Sequence, residues 1–447
     1  MPLSRSTFDP SRRGDGASCG AWLAVCALLG ASLAPTIATL EAAPGAEQAP
    51  HERVAMLHVS DAHRRTYLAT GRVWTERPLP TPEALRRGPA NRHPMGAAAP
   101  DADTAFPCTY LKGGTGATGR TEKFTCRTAD GRTLRVKYYD GDPRTGNREV
   151  FSEVAATRLF WALGFEADAM FPVTVRCLDC PASPMTGRGP RATREFVGVL
   201  EAYYEGTIVG SDIDLDQGWS YSEVASAVAG LPAGSERVRQ QIHYEALALL
   251  STFVQHGDRK PSQQRLVCAG PIDPAAGDVH PLDIDGGVPL PAFFERDGAT
   301  ACESPMLVVQ DLGATFGGAG QMTPRTSKAS LRAWSRVPVF EPAPIAPGAL
   351  GSERICRGSI VMAMSANPGH GGEIEVHEAA RRFLHERLSG LTRDHLRALF
   401  EAARITRLED PVPWRHPATG ETFSGIDAWT AVFEHKVAEL GAARCRE

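Results

Sequence analysis

His256-Gly257-Asp258-Arg259-Lys260-Pro261-Ser262-Gln263-Gln264 follows directly on an apolar helical run, and the reading of the chain turns on it. The run from Arg237 to Gln255 sets Ile242, Ala246, Leu249, Leu250 and Phe253 on one face, which predicts a buried helix. The helix then ends in a polar loop. An aspartate placed there can orient a hydroxyl and accept its proton. A lysine two positions on can neutralise charge on a transferred phosphoryl group. A side chain five positions after the aspartate can hold a metal ion. Downstream, Val308-Val309-Gln310-Asp311-Leu312-Gly313 is an apolar strand that delivers a carboxylate to a turn, which suits magnesium. Each reading has a plain structural counterpart: a polar loop after a helix, and an ordinary strand-to-turn Asp-x-Gly.

Working outward, the segment upstream supplies what such a loop would need. Cys108 to Leu111, Lys123 to Thr128 and Thr133 to Tyr139 read as three strands. Gly113, Gly114, Gly116 and Gly119 make the first connection glycine-rich, and Asp130-Gly131 supplies the positive φ of a tight hairpin in the second. Glycines such as Gly114 and Gly116 let backbone amides approach phosphates closely. Lys137 on the third strand can reach the phosphates of a nucleotide. Glu149 to Leu163 is a predicted helix closed by Gly164. Strands beginning near Phe171 and Phe196 follow, and late helices are expected over 377–388, 392–405 and 427–440.

The chain has 447 residues, 42% hydrophobic and 22% charged, with a net charge of -4, ordinary for a globular protein. No basic stripe marks a nucleic-acid binder. Arg5, Arg12 and Arg13, the apolar run Ala21 to Leu40 and the small-residue exit predict a secretory leader over 1–43. The rival reading is a membrane anchor, which Pro35 and the small residues disfavour. The expected location is secreted or periplasmic, with no stable membrane span after cleavage. Residues 44–105, weakly periodic, read as an extended arm or linker, and His58, Asp61 and His63 within it as solvated polar residues rather than metal ligands. Eight cysteines follow the leader, an even number that suits disulfides in an exported chain. Cys177-x-x-Cys180 could be half a zinc site or a redox pair, but Pro181 favours a loop closed by a local bridge.

Taken in order, the glycine-rich turn, Lys137, the 256–264 loop and Asp311 resemble the protein-kinase-like superfamily at its atypical edge. The helix Ser152-Glu153-Val-Ala-Ala-Thr-Arg-Leu-Phe-Trp-Ala-Leu-Gly-Phe is similar to one in secretory-pathway casein kinases and type II phosphatidylinositol 4-kinases. His256-Gly-Asp-Arg resembles the catalytic loop of lipid kinases. Asp311-Leu-Gly-Ala-Thr-Phe-Gly resembles the metal-binding motif of both groups. The resemblance covers roughly residues 106–335. It implies an α+β, two-lobed, disulfide-braced fold: a small antiparallel-sheet lobe over 106–205 and a helical lobe over 206–447 with an insertion at 265–306. It also implies ATP with Mg²⁺ or Mn²⁺ and an unknown hydroxyl acceptor on a protein, sugar or lipid. Lys137 would hold phosphates and Glu153, or alternatively Glu149, would orient it. Asp258 would act as base with Lys260 beside it, and Gln263 and Asp311 would hold the metal. Gln263 departs from the usual Asn, and 53 residues separate Asp258 from Asp311. The competing expectations are an inactive pseudokinase serving as a binding module and a transferase of nucleotidyl groups. Order along the chain suggests the pairings Cys108–Cys126, Cys177–Cys180, Cys268–Cys302 and Cys356–Cys445, one of 105 possible sets.

Overall fold

Alternation of buried and exposed residues from Phe106 to Leu111 within the strand Ala105–Gly113 marks one face in a core. That core lies inside a closed five-stranded barrel. In the computed structural model, which describes residues 53–96, 99–114, 121–139, 141, 148–204, 206–211, 218–269, 280–283, 302, 304–317, 329–341, 356–358, 375–408 and 413–446, the chain is mixed α+β. It begins with β1 (Arg53–Val59), α1 (Asp61–Thr70) and α2 (Pro82–Arg87). The barrel strands follow: β2 (Ala105–Gly113), β3 (Lys123–Arg127), β4 (Thr133–Tyr139), then helix α3 (Glu149–Leu163), β5 (Ala169–Cys180) and β6 (Ala192–Ala202). Next come β7 (Thr207–Ser211), α4 (Tyr221–Ala229), α5 (Ser235–Phe253), β8 (Gln264–Cys268), β9 (His280–Asp283) and β10 (Pro305–Val309). Helices α6 (Leu331–Trp334), α7 (Glu378–Ser389), α8 (Arg393–Ala402) and α9 (Gly425–Ala442) complete the fold.

The barrel order is β2-β3-β4-β6-β5. The sheet was expected to be antiparallel throughout. A parallel pairing of β2 with β5, Ala105 opposite Thr174 through Thr109 opposite Leu178, instead closes it. Closure removes the two edges that an open small sheet would leave unpaired. Phe106, Phe124, Val136, Phe171, Val173, Val175 and Leu200 fill the interior. The Cys108–Cys126 bridge joins β2 to β3, and Cys177–Cys180 sits at an irregularity in the β5–β6 ladder. The other two bridges are Cys268–Cys302 and Cys356–Cys445, so all four pairings match the expected set.

A second sheet, ordered β10-β8-β7-β1-β9, corrects two further expectations. The region after 206 is not purely helical. The residues bounding the supposed insertion at 265–306 are ladder strands, with Val309 opposite Gln264 and Pro305 opposite Cys268. The stretch 44–105 is also no free arm from residue 53 onward. Strand β1 lies between β7 and β9. Thr81 caps α2 by accepting from the Ala84 amide at 3.2 Å. Buried Arg158 of α3 donates to the Arg86 and Arg87 carbonyls at the other end of α2. The leader expected over 1–43 lies outside the described residues.

Helix α3 is buried on nearly every side, with Glu149, Ser152, Glu153, Thr157 and Arg158 buried among its apolar residues. It ends at Gly164 with φ 95°, where a Cβ would stand 2.4 Å from the Thr75 carbonyl oxygen, so only glycine fits. Below the barrel, α5 packs on α7 and α8 on α9. Phe253, Phe316, Trp334, Phe400, Trp429 and Phe433 form one aromatic cluster there, with Phe253 and Phe433 ring centroids 5.0 Å apart. No helix among the described residues is long and apolar enough to cross a membrane.

Candidate active site

Strand pairing does most of the assembly. Lys137 lies on β4 opposite Lys123 on β3, on the face turned away from the barrel interior that its neighbour Val136 fills. Glu153 lies about one turn beyond the start of α3 and faces the same space. Lys137 Nζ stands 2.8 Å from Glu153 Oε1, and both side chains are buried. The alternative partner, Glu149, instead packs beside Gly313. Asp311 Oδ1 is 3.7 Å from the same ammonium. A third carboxylate, absent from the sequence reading, completes the group: Glu201 Oε1 at the end of β6 is 3.1 Å from Lys137 Nζ.

The loop after α5 reaches this group from below. The β8–β10 ladder sets the Gln310 amide on the Gln263 carbonyl at 2.9 Å. The Gln263 side chain then donates to Asp311 Oδ2 at 2.8 Å and also contacts the Asp258 carboxylate. Lys260 Nζ pairs with Asp258 Oδ2 at 3.1 Å. Gly257 N donates to the Ala314 carbonyl at 3.1 Å, which holds the two loops side by side. Buried His256 packs against the Asp311 backbone, and burial pushes its imidazole down to about 3, so it stays neutral.

The 311–315 turn is fastened to α3. Ser152 Oγ donates to the Gly313 carbonyl at 2.6 Å, and a Cβ at Gly313 would meet Glu149 carbons at 2.9 Å. Asp311 itself sits at φ 48°, a left-handed conformation that aspartate tolerates better than most residues. Any shift of α3 therefore moves Glu153 and the Asp311 turn together.

Charge in the cleft is set by burial and by this crowd. Burial opposes the Lys137 charge, yet Glu153, Glu201 and Asp311 together hold it well above the ordinary lysine value. Burial pushes the Glu153 carboxyl up to about 8, against the pull of Lys137. Burial acts the same way on Glu201, but Lys137 and Arg135 outweigh it and hold the carboxyl down at about 2. Asp258 is raised, by burial first and by Asp311 second, while Lys260 opposes the shift.

The glycine turn is the least informative of the expected site elements. Gly113 packs so closely on the Met185 carbonyl that a Cβ would stand 2.1 Å from its oxygen, which by itself accounts for a glycine. Gly114 lies against the Lys123 side chain, and Gly116 falls outside the described residues. Among the described residues no cluster of three or more His, Cys, Asp or Glu is arranged to hold a metal. Asp311 and Asp258 offer hard oxygen donors, and the Gln263 amide, which turns its nitrogen to Asp311, would have to rotate to present its oxygen. Rotated in that way, the set would suit a Mg²⁺ or Mn²⁺ ion completed by water and phosphates rather than an all-protein cage.

No protein-family model matches the chain, and no curated protein does. Among solved structures, the proinflammatory kinase CtkA of Helicobacter pylori aligns with 76% of this chain and 95% of its own at 10% identity, with a TM-score of 0.32.

Proposed function

We propose that this chain is a kinase-like phosphotransferase that moves phosphate from ATP to a hydroxyl acceptor, with Mg²⁺ or Mn²⁺ held at Asp311 and Gln263. The observation that carries the reading is the buried Lys137–Glu153 pair at 2.8 Å, with Asp311 at 3.7 Å from the same ammonium. Burying a lysine among three carboxylates is unfavourable unless the charges are well paired, and the arrangement leaves one ammonium donor turned toward a partly exposed carboxylate. Phosphate oxygens could take the place of Asp311 there, freeing that carboxylate for the metal. A bound metal ion would neutralise charge on the phosphates. Asp258, held by Lys260 and Gln263, would accept the proton of the attacking hydroxyl. Lys260 would then turn its charge to the transferred group. Four disulfides, together with the leader-like start of the chain, support export to an oxidising compartment.

One observation favours a second reading, a pseudokinase that binds without turnover. The Gln263 amide donates to Asp311, and Lys260 pairs with Asp258, so both acidic groups are already engaged. A thermal-shift screen of ATP with Mg²⁺ or Mn²⁺ tests the shared part, since a ligand of the native state alone raises its melting temperature. Transfer of labelled phosphate to the chain itself or to candidate acceptors separates the two. A chain that binds neither nucleotide nor metal would end both readings.

A further inference from the structure

We propose that Glu201 is a positioning residue for Lys137, a sheet-borne counter-ion that keeps the ammonium aimed into the cleft independently of α3. The inference rests on the nucleotide reading above. Glu201 and Lys137 lie on paired strands, Val199 opposite Lys137 and Leu200 opposite Val136, so Glu201 is two residues beyond the lysine's partner on the same face. Ladder hydrogen bonds therefore fix their separation. Glu153 is carried by a helix, and helices at such clefts shift against the sheet when domains open and close.

The second carboxylate oxygen of Glu201 is held in turn. Arg135 Nε lies 3.3 Å from it, and the Tyr203 hydroxyl donates to it at 3.2 Å while accepting from Arg135 at 2.6 Å. Arg135 and Lys137 are two apart on β4, so one buried carboxylate spans both cations of that strand face. A single buried ion pair rarely repays its desolvation, whereas a carboxylate satisfied at both oxygens by two cations does so more readily. The low titration of Glu201 and the raised titration of Glu153 agree with this division: Glu201 is the permanently charged partner, and Glu153 the adjustable one.

Charge alone argues the opposite effect on ligand affinity. Neutralising Glu201 leaves Lys123, Arg135 and Lys137 less opposed, so a purely electrostatic role predicts tighter binding of an anion. A positioning role predicts weaker binding, and only while Lys137 is present. The test is calorimetric titration of Mg·ATP and Mn·ATP into the disulfide-intact chain as wild type, E201Q, E201D, K137M and the E201Q/K137M double variant. Expected is a loss of about tenfold in affinity for E201Q, partial recovery in E201D, and no further loss when E201Q is added to K137M. Urea unfolding checks that each variant is folded, and E201D carries the comparison if E201Q is not. Unchanged or tighter binding in E201Q, or an equal loss in the K137M background, overturns the inference alone. Wild type that binds neither complex overturns the nucleotide reading first, and the inference with it.

Discussion

Gln263 and Asp311 stand 48 positions apart in the chain, yet the Gln263 amide donates to the Asp311 carboxylate at 2.8 Å. The β8–β10 register brings the two near each other: Val309 lies opposite Gln264, the Gln310 amide donates to the Gln263 carbonyl at 2.9 Å, and Asp311 follows one residue on. The spacing between Asp258 and Asp311 therefore does not separate them in space.

Asp311→Ala and Asp258→Ala are expected to fail differently. The first removes a metal ligand and should weaken nucleotide and metal binding together. The second should leave binding near wild type and slow transfer by ~10²–10⁴-fold, the usual contribution of a general base. Equilibrium titration beside single-turnover phosphate transfer would separate them. Equal loss of binding in both variants would contradict the assigned roles.

Lys137→Met should destabilise the fold as well as the site. It leaves Glu153 and Glu201 buried without their shared cation, and breaking a buried pair in this way costs about 3–5 kcal/mol. Chemical denaturation of the oxidised protein measures it. Partial recovery in a Lys137→Met, Glu201→Gln double variant is expected, because one of the two stranded carboxylates is then neutralised.

Asp168 makes the protein less stable as pH rises. Its buried carboxyl accepts from the Tyr204 amide at 3.0 Å, while its other oxygen has no hydrogen-bond partner among the described residues. Burial, with Glu201 nearby, raises it from 3.8 to about 7. The folded state thus binds this proton more tightly than the unfolded chain. The resulting stabilisation is full below about pH 4 and is lost as pH rises through about 7. Asp168→Asn should therefore gain stability over wild type across that window, by on the order of 2–4 kcal/mol at pH 8. A difference that stays flat between pH 4 and 8 would refute it.

Removing the Cys268–Cys302 bridge opens a loop of 34 residues' separation between β8 and β10. In the chain-entropy model a closure of this length stabilises by roughly 3–4 kcal/mol. The double serine variant should show that loss in denaturant unfolding. Because the bridge flanks the ladder that aligns Gln263 with Asp311, metal-dependent nucleotide affinity should fall with it. Peptide mapping without reduction checks all four pairings independently.

Local pattern determined a good deal of this protein. The apolar run ending at Gly164 marked α3 to the residue, because a helix buried all round and stopped by a left-handed glycine leaves both signals in the sequence. Period-two alternation found the barrel strands, and order along the chain found the four cysteine pairs. Lys137, Glu153, Gln263 and Asp311 were legible as a set because each type has a known chemical use at its place in the order. Tertiary structure alone decided the rest. Alternation says which face of a strand is buried, but backbone hydrogen bonds are blind to sequence and do not say which strand is the neighbour. The parallel β2–β5 closure, the insertion of β1 between β7 and β9, and the ladder formed by the edges of the supposed insertion were hidden for that reason. Glu201 was hidden in the same way: at the end of a strand it reads as an ordinary polar exit, and only the β4–β6 register brings it to within 3.1 Å of Lys137.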